Sequence, residues 1–479
     1  MEGPKQDYME IKHICTLGIL CVCGFQGYSQ PRPNIVFILA DDLGYSDLGC
    51  TGSDFYQTPN IDGLAAQGTC FTSAYAPAAN SAPSRASILT GLYAPRHGIY
   101  TVSPSARGRR EDRRLIPVET KDVLDASFVT VAEALHAAGY TCAHIGKWHL
   151  GEDASGRGPC SQGFDVNVGG GHQGAPYTYY YPYRNRSGES LPGLEEGSPG
   201  EYLTDRLTDE ALDFIRHAKG PFFLYLPYYA VHTPLEAPRE LLDKYRGLPR
   251  GEHHGNASYA AMIENLDTNV GRLLGVLDSL ALSDRTMVVF CSDNGGSEPI
   301  TDNYPLRGGK GTPYEGGIRV PLIVRWPGVC EGGTEVRTPV CGIDLLPTFV
   351  HAAQGRCPEK MDGVDLRDSA KLRERDLYWF FPAYLEAYPG DENAVWRATP
   401  YAIIRSGDYK LIRFFEDDHC ELYNLTRDPS ERDDLSGREP RITRRLRTRL
   451  DAWITATRAP VPKEKNPYYR ERDTRPSGL

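Results

Sequence analysis

Asn34-Ile-Val-Phe-Ile-Leu-Ala-Asp-Asp42 is the stretch on which the fold turns. Its apolar, β-branched residues run without polar alternation, the habit of a strand covered on both faces in a parallel α/β sheet. Two further runs share this character: Pro221-Phe-Phe-Leu-Tyr-Leu-Pro227, followed by His232, and Thr286-Met-Val-Val-Phe-Cys291, followed by Ser292-Asp293-Asn294. Each carries polar candidates just past its carboxyl end, where open α/β sheets place their ligands.

Helix signals lie between these runs. Thr130-Val-Ala-Glu133 has the capping-box pattern, with Gly139 as a stop. From Tyr259 to Leu280, apolar residues at 262, 263, 266, 270, 273, 274, 277 and 280 keep the 3.6-residue period of an amphipathic helix. Strands alternating with such helices imply βαβ units and a mainly parallel sheet.

After about residue 375 the pattern changes to Asp376–Phe381, Tyr401–Ile404, Tyr409–Arg413 and Glu421–Tyr423, short strands separated by polar turns. They predict a small antiparallel sheet closed by an Arg-rich helix near residues 440–457, and the Lys-, Arg- and Pro-rich tail from Pro460 reads as a surface extension.

The chain of 479 residues holds about two to four domain equivalents. Residues 14–25 form an uncharged, mostly apolar run too short to span a bilayer, and Pro31 and Pro33 follow it. That is the apolar region of a secretory signal, alternatively a buried N-terminal element. The expected organisation is a leader over 1–29, a catalytic domain over 30–375 and an α+β subdomain over 376–479. Export to the periplasm, the cell surface or the medium follows, without stable membrane insertion. Beyond the leader stand nine of the 12 cysteines, an odd number with no CxxC pair, which gives no support to a zinc ribbon.

A formal charge of −10 and the absence of a long basic run disfavour nucleic-acid binding, which rests on neutralising phosphates. The same sign stands against polyanions generally, unless a local field overrides it.

The most specific segment is Ser81-Ala-Pro-Ser-Arg-Ala-Ser-Ile-Leu-Thr-Gly91. It resembles the signature of the type I sulfatases, serine-type, in which Cys or Ser followed by x-Pro-Ser-Arg, four residues and Thr-Gly directs oxidation of the first residue to formylglycine. Taken alone, Ser-x-Pro-Ser-Arg reads equally as a turn before a helix. Here five more elements similar to that family follow the same order. They are Ala40–Tyr45, Gly146-Lys-Trp-His-Leu-Gly151, Ala230-Val-His-Thr-Pro234, Ser292-Asp-Asn-Gly295 and Arg307-Gly-Gly-Lys310. The resemblance spans about Asn34 to Leu435 and implies an alkaline-phosphatase-like α/β/α sandwich around a mainly parallel sheet, with the smaller C-terminal subdomain appended.

Asp41, Asp42, Asp293 and Asn294 offer hard oxygen donors at two strand ends, a set that suits Ca²⁺. Either pair alone reads as well as turn residues or helix caps. The resemblance makes Ca²⁺ the expected metal, with Ser81 as a further ligand. It also implies that Ser81 matures to an aldehyde whose hydrate attacks sulfur with one hydroxyl and expels sulfate through the second. Arg85 would hold the diol and the metal ligands, Lys147 and Lys310 the sulfate oxygens. His149 would be the base that collapses the diol, His232 the acid on the departing oxygen, shared with Lys310, and Asp293 a further acceptor of the nucleophile's proton.

The Gly- and Tyr-rich stretch Gly169–Tyr183 reads either as a sugar-stacking loop, with His172 as its contact, or as a packed loop. Arg96, His97, Asn303, Arg307 and Glu315 are pocket candidates by sequence proximity, with Arg307 a substrate contact, whereas His253 and His254 read as surface.

The implied function is hydrolysis of a sulfate ester from a glycan. Exo action on sulfated galactose or N-acetylgalactosamine of mucin, glycosaminoglycan or algal polysaccharide is favoured. Serine at position 81 implies either an anaerobic radical maturase as transient partner or an engineered replacement of cysteine. The rivals are a phosphodiesterase or phosphonate hydrolase of the same superfamily, and a glycan-binding protein on a decayed scaffold. On the sulfatase reading Arg85, Lys147, His149, His232, Lys310 and a divalent cation form a compact positive pocket on an acidic protein.

Overall fold

In the computed structural model, residues 32–184, 188–391 and 394–471 are described. The leader expected over 1–29 lies outside them. Asn34–Ala40 is strand β1, and every residue of it is buried. Its side chains alternate between two cores: Ile35, Phe37 and Leu39 enter one, Val36, Ile38 and Ala40 the other. Burying each such side chain contributes about 1.5–3 kcal/mol. Apolar residues are therefore required at consecutive positions.

The other strands of this sheet are β2 (Thr69–Phe71), β3 (Thr141–Ile145), β4 (Val166–Val168), β5 (Phe222–Pro227), β6 (Thr286–Ser292), β7 (Leu322–Arg325) and β8 (Thr334–Val336). Their spatial order is β4-β3-β5-β1-β6-β7-β2-β8. The first five are mutually parallel, and β7 turns antiparallel to β6. Leu203–His217 and Ala257–Ser279 cover one face, Val131–Ala137 and Leu345–Ala352 the other. The α/β/α layering and mainly parallel sheet are as expected.

Local signals act as read. Thr130 Oγ1 accepts from Glu133 N at 3.2 Å while Glu133 Oε2 accepts from Thr130 N at 2.7 Å. Gly139 takes a φ of 83°, left-handed backbone that terminates the helix at little cost.

Leu377–Phe381, Tyr401–Ser406, Tyr409–Phe414 and Cys420–Asn424 form an antiparallel sheet in that order. One face packs on Tyr75, Ala79 and Ile343, the other on Leu446, Leu450 and Ile454 of the Pro440–Thr457 helix. The tail is more than an extension. Lys465 bridges Leu115, Asn466 Nδ2 donates to the carbonyls of Arg110 and Arg113, and the Arg110 guanidinium lies 3.2 Å from the centre of the Tyr468 ring. The nine cysteines among the described residues are all free thiols.

Candidate active site

Four adjacent parallel strands deliver their following residues to one sheet edge. Asp41 and Asp42 follow β1, Lys147 follows β3, His232 follows β5, and Asp293 and Asn294 follow β6. Glycine makes two of these turns feasible. A Cβ on Gly146, whose φ is 133°, would lie 2.0 Å from the Pro227 carbonyl oxygen, and one on Gly295 would lie 1.8 Å from that of Gly316. Ser292 Oγ ties the β1 and β6 turns together, accepting from Leu43 N at 3.1 Å and donating to the Asn294 carbonyl at 2.9 Å.

Ser81 opens a helix, Ser81–Thr90, whose ten residues are all buried. Its Oγ lies 3.2 Å from Asp41 Oδ1 and 3.3 Å from Asn294 Oδ1, and accepts from Lys147 Nζ at 3.3 Å. Arg85, one turn along the same helix face, donates to Asp293 Oδ2 at 3.0 Å and to the Lys147 carbonyl at 3.0 Å. Lys147 Nζ donates to Asp41 Oδ2, and Lys310 Nζ to Asp42 Oδ2, each at 2.6 Å. Asn294 Nδ2 donates to Asp42 Oδ1 at 2.8 Å, and His232 Nε2 stands 3.5 Å from Asp42 Oδ2. Asp42 and His149 hold φ of 62° and 64°, left-handed backbone that costs a non-glycine residue about 1–3 kcal/mol and clusters at functional sites.

Electrostatics sort these groups. Burial raises Asp41 to about 7 despite Lys147, with the charge of Asp293 adding to the rise. Burial also opposes ionisation of Asp42 and Asp293, but Lys310 and His232 hold Asp42 low, and Arg85 and Lys147 hold Asp293 low. Burial, then Lys147 and Arg85, pushes His149 well below the ordinary imidazole range, and its buried Nδ1 has no hydrogen-bond partner among the described residues. Burial and Lys310 lower His232 to about 4. Its Nδ1 donates to the Thr233 carbonyl at 2.8 Å, so Nε2 is the free nitrogen facing the site. Both imidazoles are neutral at pH 7.

Residues 33–355 match the family model described as Sulfatase, and residues 309–456 the one described as N-sulphoglucosamine sulphohydrolase, C-terminal. The chain belongs to the sulfatase family. A sulfatase of Formosa agariphila is 33% identical over 518 aligned residues, covering 90% of each chain. The N-acetylgalactosamine-6-sulfatase of Mus musculus is 32% identical, over 88% of this chain and 85% of that one. Among solved structures, Ps i-CgsB in complex with k-i-k-neocarrahexaose superposes with a TM-score of 0.73 at 30% identity, covering 88% of this chain and 93% of that one.

As a sulfuric ester hydrolase, this sulfatase needs fixed positive charge around an anion, and its site sets three carboxyl groups, Asp41, Asp42 and Asp293, against the cations of Arg85, Lys147 and the part-exposed Lys310. The donor set fits a hard divalent cation. Oxygens of Asp41 and Asp42 and a nitrogen of His232 lie within 4.8 Å of one another. Burial, with a smaller contribution from Asp293, raises Asp41, a penalty on its charged form that a bound cation would relieve. Lys310 and His232 side chains keep 18% exposure while Lys147, Arg85 and Asp41 have none, so solvent reaches the sulfatase centre from the Lys310 side.

Some sequence candidates lie elsewhere. Arg307 is not in the cluster: its guanidinium stacks 3.6 Å from the centre of the Tyr314 ring and donates to Tyr423 Oη and the Glu431 carbonyl. Glu315 is buried against Tyr75 and Lys410. Arg96 pairs with Asp362, and His97 with Ser87. Asn303 Nδ2 donates to the Gly296 carbonyl, beside the strand-end turn. His172 is exposed. Most of the tyrosine-rich loop is packing: the hydroxyls of Tyr179, Tyr180 and Tyr183 donate to Tyr229, Ala237 and Glu201, and only Tyr177 is widely exposed. His254 is buried rather than superficial, stacked on Tyr56 and bonded to Ser53.

Two residues outside every motif join the site. Tyr388 Oη donates to the Lys310 carbonyl at 2.7 Å, and Arg397, stacked on Tyr388, donates to it at 3.3 Å. The C-terminal region thus braces a site lysine, a role with no signal in the sequence, where Tyr388 and Arg397 stand nine residues apart.

Proposed function

We propose that this sulfatase removes O-sulfate from a galactose or N-acetylgalactosamine residue at the end of a glycan, with residue 81 matured to formylglycine and Ca²⁺ held by Asp41, Asp42, Asp293 and Asn294. The observation that carries the reading is the meeting of Asp41, Asn294 and Lys147 on one atom, Ser81 Oγ. The names of the mouse relative and of the carrageenan-oligosaccharide complex support a galactose-type sugar. The apolar run at 14–25 supports export, and among the described residues no helix is long and apolar enough to cross a membrane. Serine at 81 supports an anaerobic radical maturase as partner.

Formylglycine supplies an oxygen nucleophile together with a second hydroxyl that permits sulfate release. Ca²⁺ supplies Lewis-acid charge beside it. Lys147 and Lys310 bind the sulfate oxygens whose charge grows as the ester bond breaks. Arg85 fixes Asp293 and the Lys147 turn. Neutral His149 presents a lone pair to the site, whereas His232, neutral with its proton on Nδ1, has none on Nε2 to give, so the proton for the departing oxygen falls to Lys310.

The test is a panel of regiodefined sulfated monosaccharides presented to protein co-produced with a maturase, alongside an aryl sulfate and an aryl phosphodiester. Sulfate release from a sulfated galactose or N-acetylgalactosamine is expected. Faster cleavage of the phosphodiester than of any sulfate would overturn the reading.

A further inference from the structure

A second chemically equipped cluster lies away from the sulfatase centre. Cys357 Sγ is 3.3 Å from His351 Nε2, and His351 Nδ1 is 2.9 Å from Asp365 Oδ2. Asp365 is in turn held by Arg367, whose Nε donates to both carboxylate oxygens at 3.1 and 3.2 Å. A carboxylate on Nδ1 fixes the imidazole with its proton there, which leaves the Nε2 lone pair facing the thiol. This is the ordering of nucleophile, base and orienting acid found in activated thiols.

The cluster is accessible. The His351 side chain is 45% exposed and Cys357 is half-buried. His351, Met361, Asp365, Arg367 and Lys371 line an open groove of about 420 Å³, large enough for a small molecule. Pro358 borders a second groove that is also lined by Thr90, at the far end of the helix that starts at Ser81. That helix places Thr90 about 14 Å from Ser81.

We propose that Cys357 is the most reactive thiol among the described residues, a modification site at which His351 and Asp365 promote exchange with small disulfides and reaction with soft electrophiles. His351 Nε2 takes the Cys357 proton, and the thiolate attacks one sulfur of the disulfide. The disulfide S–S bond breaks as the new bond to Cys357 forms, and the departing thiolate leaves as a thiol with the proton from His351. The disulfide is the oxidant, and no other is required. Burial and the Asp365 charge push the Cys357 thiol up, so its reactivity rests on passing its proton to the adjacent His351 Nε2 and not on a standing thiolate. Cys50 and Cys160 are more exposed but face Asp62 and Asp153 instead of an imidazole. Exposure and activation therefore give opposite rankings.

The experiment is brief alkylation of the full-length protein at pH 7 with limiting iodoacetamide, and in parallel exchange with oxidised glutathione, read thiol by thiol by peptide mass spectrometry. Cys357 is expected to react about tenfold faster than Cys50 and Cys160. His351→Gln removes that advantage while leaving the other two rates unchanged, and Asp365→Asn lowers it part-way. Thermal unfolding of each variant verifies the fold, and the wild-type ranking is a test that needs no variant. Cys357→Ala leaves sulfate-ester turnover unchanged. A Cys357 rate equal to or below those of Cys50 and Cys160, or one indifferent to His351→Gln in a folded variant, would overturn the proposal.

Discussion

Lys147 Nζ, with no exposure to solvent, stands between Asp41 Oδ2 at 2.6 Å and Ser81 Oγ at 3.3 Å. A cation held so rigidly beside the proposed nucleophile is organised before substrate arrives. Lys147→Met is expected to lower kcat/KM on a sulfate ester by about 10²–10³-fold, the usual loss for one preorganised donor. Lys147→Arg is not expected to restore it, since the planar guanidinium does not fit a site built for an ammonium. Steady-state kinetics on matured protein measures both.

Chelation tests the carboxylate cluster. Removing divalent ions is expected to abolish turnover and lower the melting temperature, and Ca²⁺ to restore both. Ca²⁺ at a hundred times its Kd would add about 2.7 kcal/mol of stability. Asp293→Asn weakens the site while keeping its shape, so the midpoint of the Ca²⁺-dependent thermal shift moves to higher concentration. An unchanged midpoint would contradict the assignment.

Tyr388→Phe deletes the hydroxyl that holds the Lys310 carbonyl. Its expected effect is a fall in kcat with little change in the melting temperature, because Lys310 stays in place but loses its brace. Arg397→Ala removes the second donor to the same carbonyl and acts in the same direction.

Lys410 is fully buried between Glu315 at 3.1 Å and Glu431 at 2.8 Å, and burial raises Glu431 to about 7 even with that partner present. Lys410→Met leaves buried Glu431 without its cation and Glu315 with only the more distant arginines, which costs about 3–5 kcal/mol. Urea unfolding measures the loss.

Acidification tests the buried histidines. Burial pushes His144 down to about 4 and His97 to about 3 from an ordinary 6.5. With the folded value below the unfolded one, the unfolded chain takes up protons first as pH falls. The stabilisation from His144 is complete above pH 6.5 and about 3 kcal/mol of it is lost by pH 4. The melting temperature is expected to fall between pH 6.5 and 4.5, and less steeply in His144→Gln.

Much of the fold was legible because β1, β5 and β6 need apolar side chains on both faces, which leaves an uninterrupted run in the sequence. The candidate site was legible where motif residues sit directly after those strands. Sequence proximity failed around Lys310. Arg307, three residues before it, and Glu315, five after it, turn to the C-terminal sheet, because the intervening glycines reverse the chain. His254 was misread because its partners Tyr56, Ser53 and Asp302 are remote in sequence. Tyr388 and Arg397 left no signal because they act on a backbone carbonyl, whose position only the fold determines.

The central claim is tested most directly by preparing the protein with and without a maturase and measuring sulfate release against the fraction of chains in which residue 81 has lost two hydrogens. Release proportional to that fraction, with none from plain Ser81, is the expected result. Equal release from fully unmodified protein would contradict it.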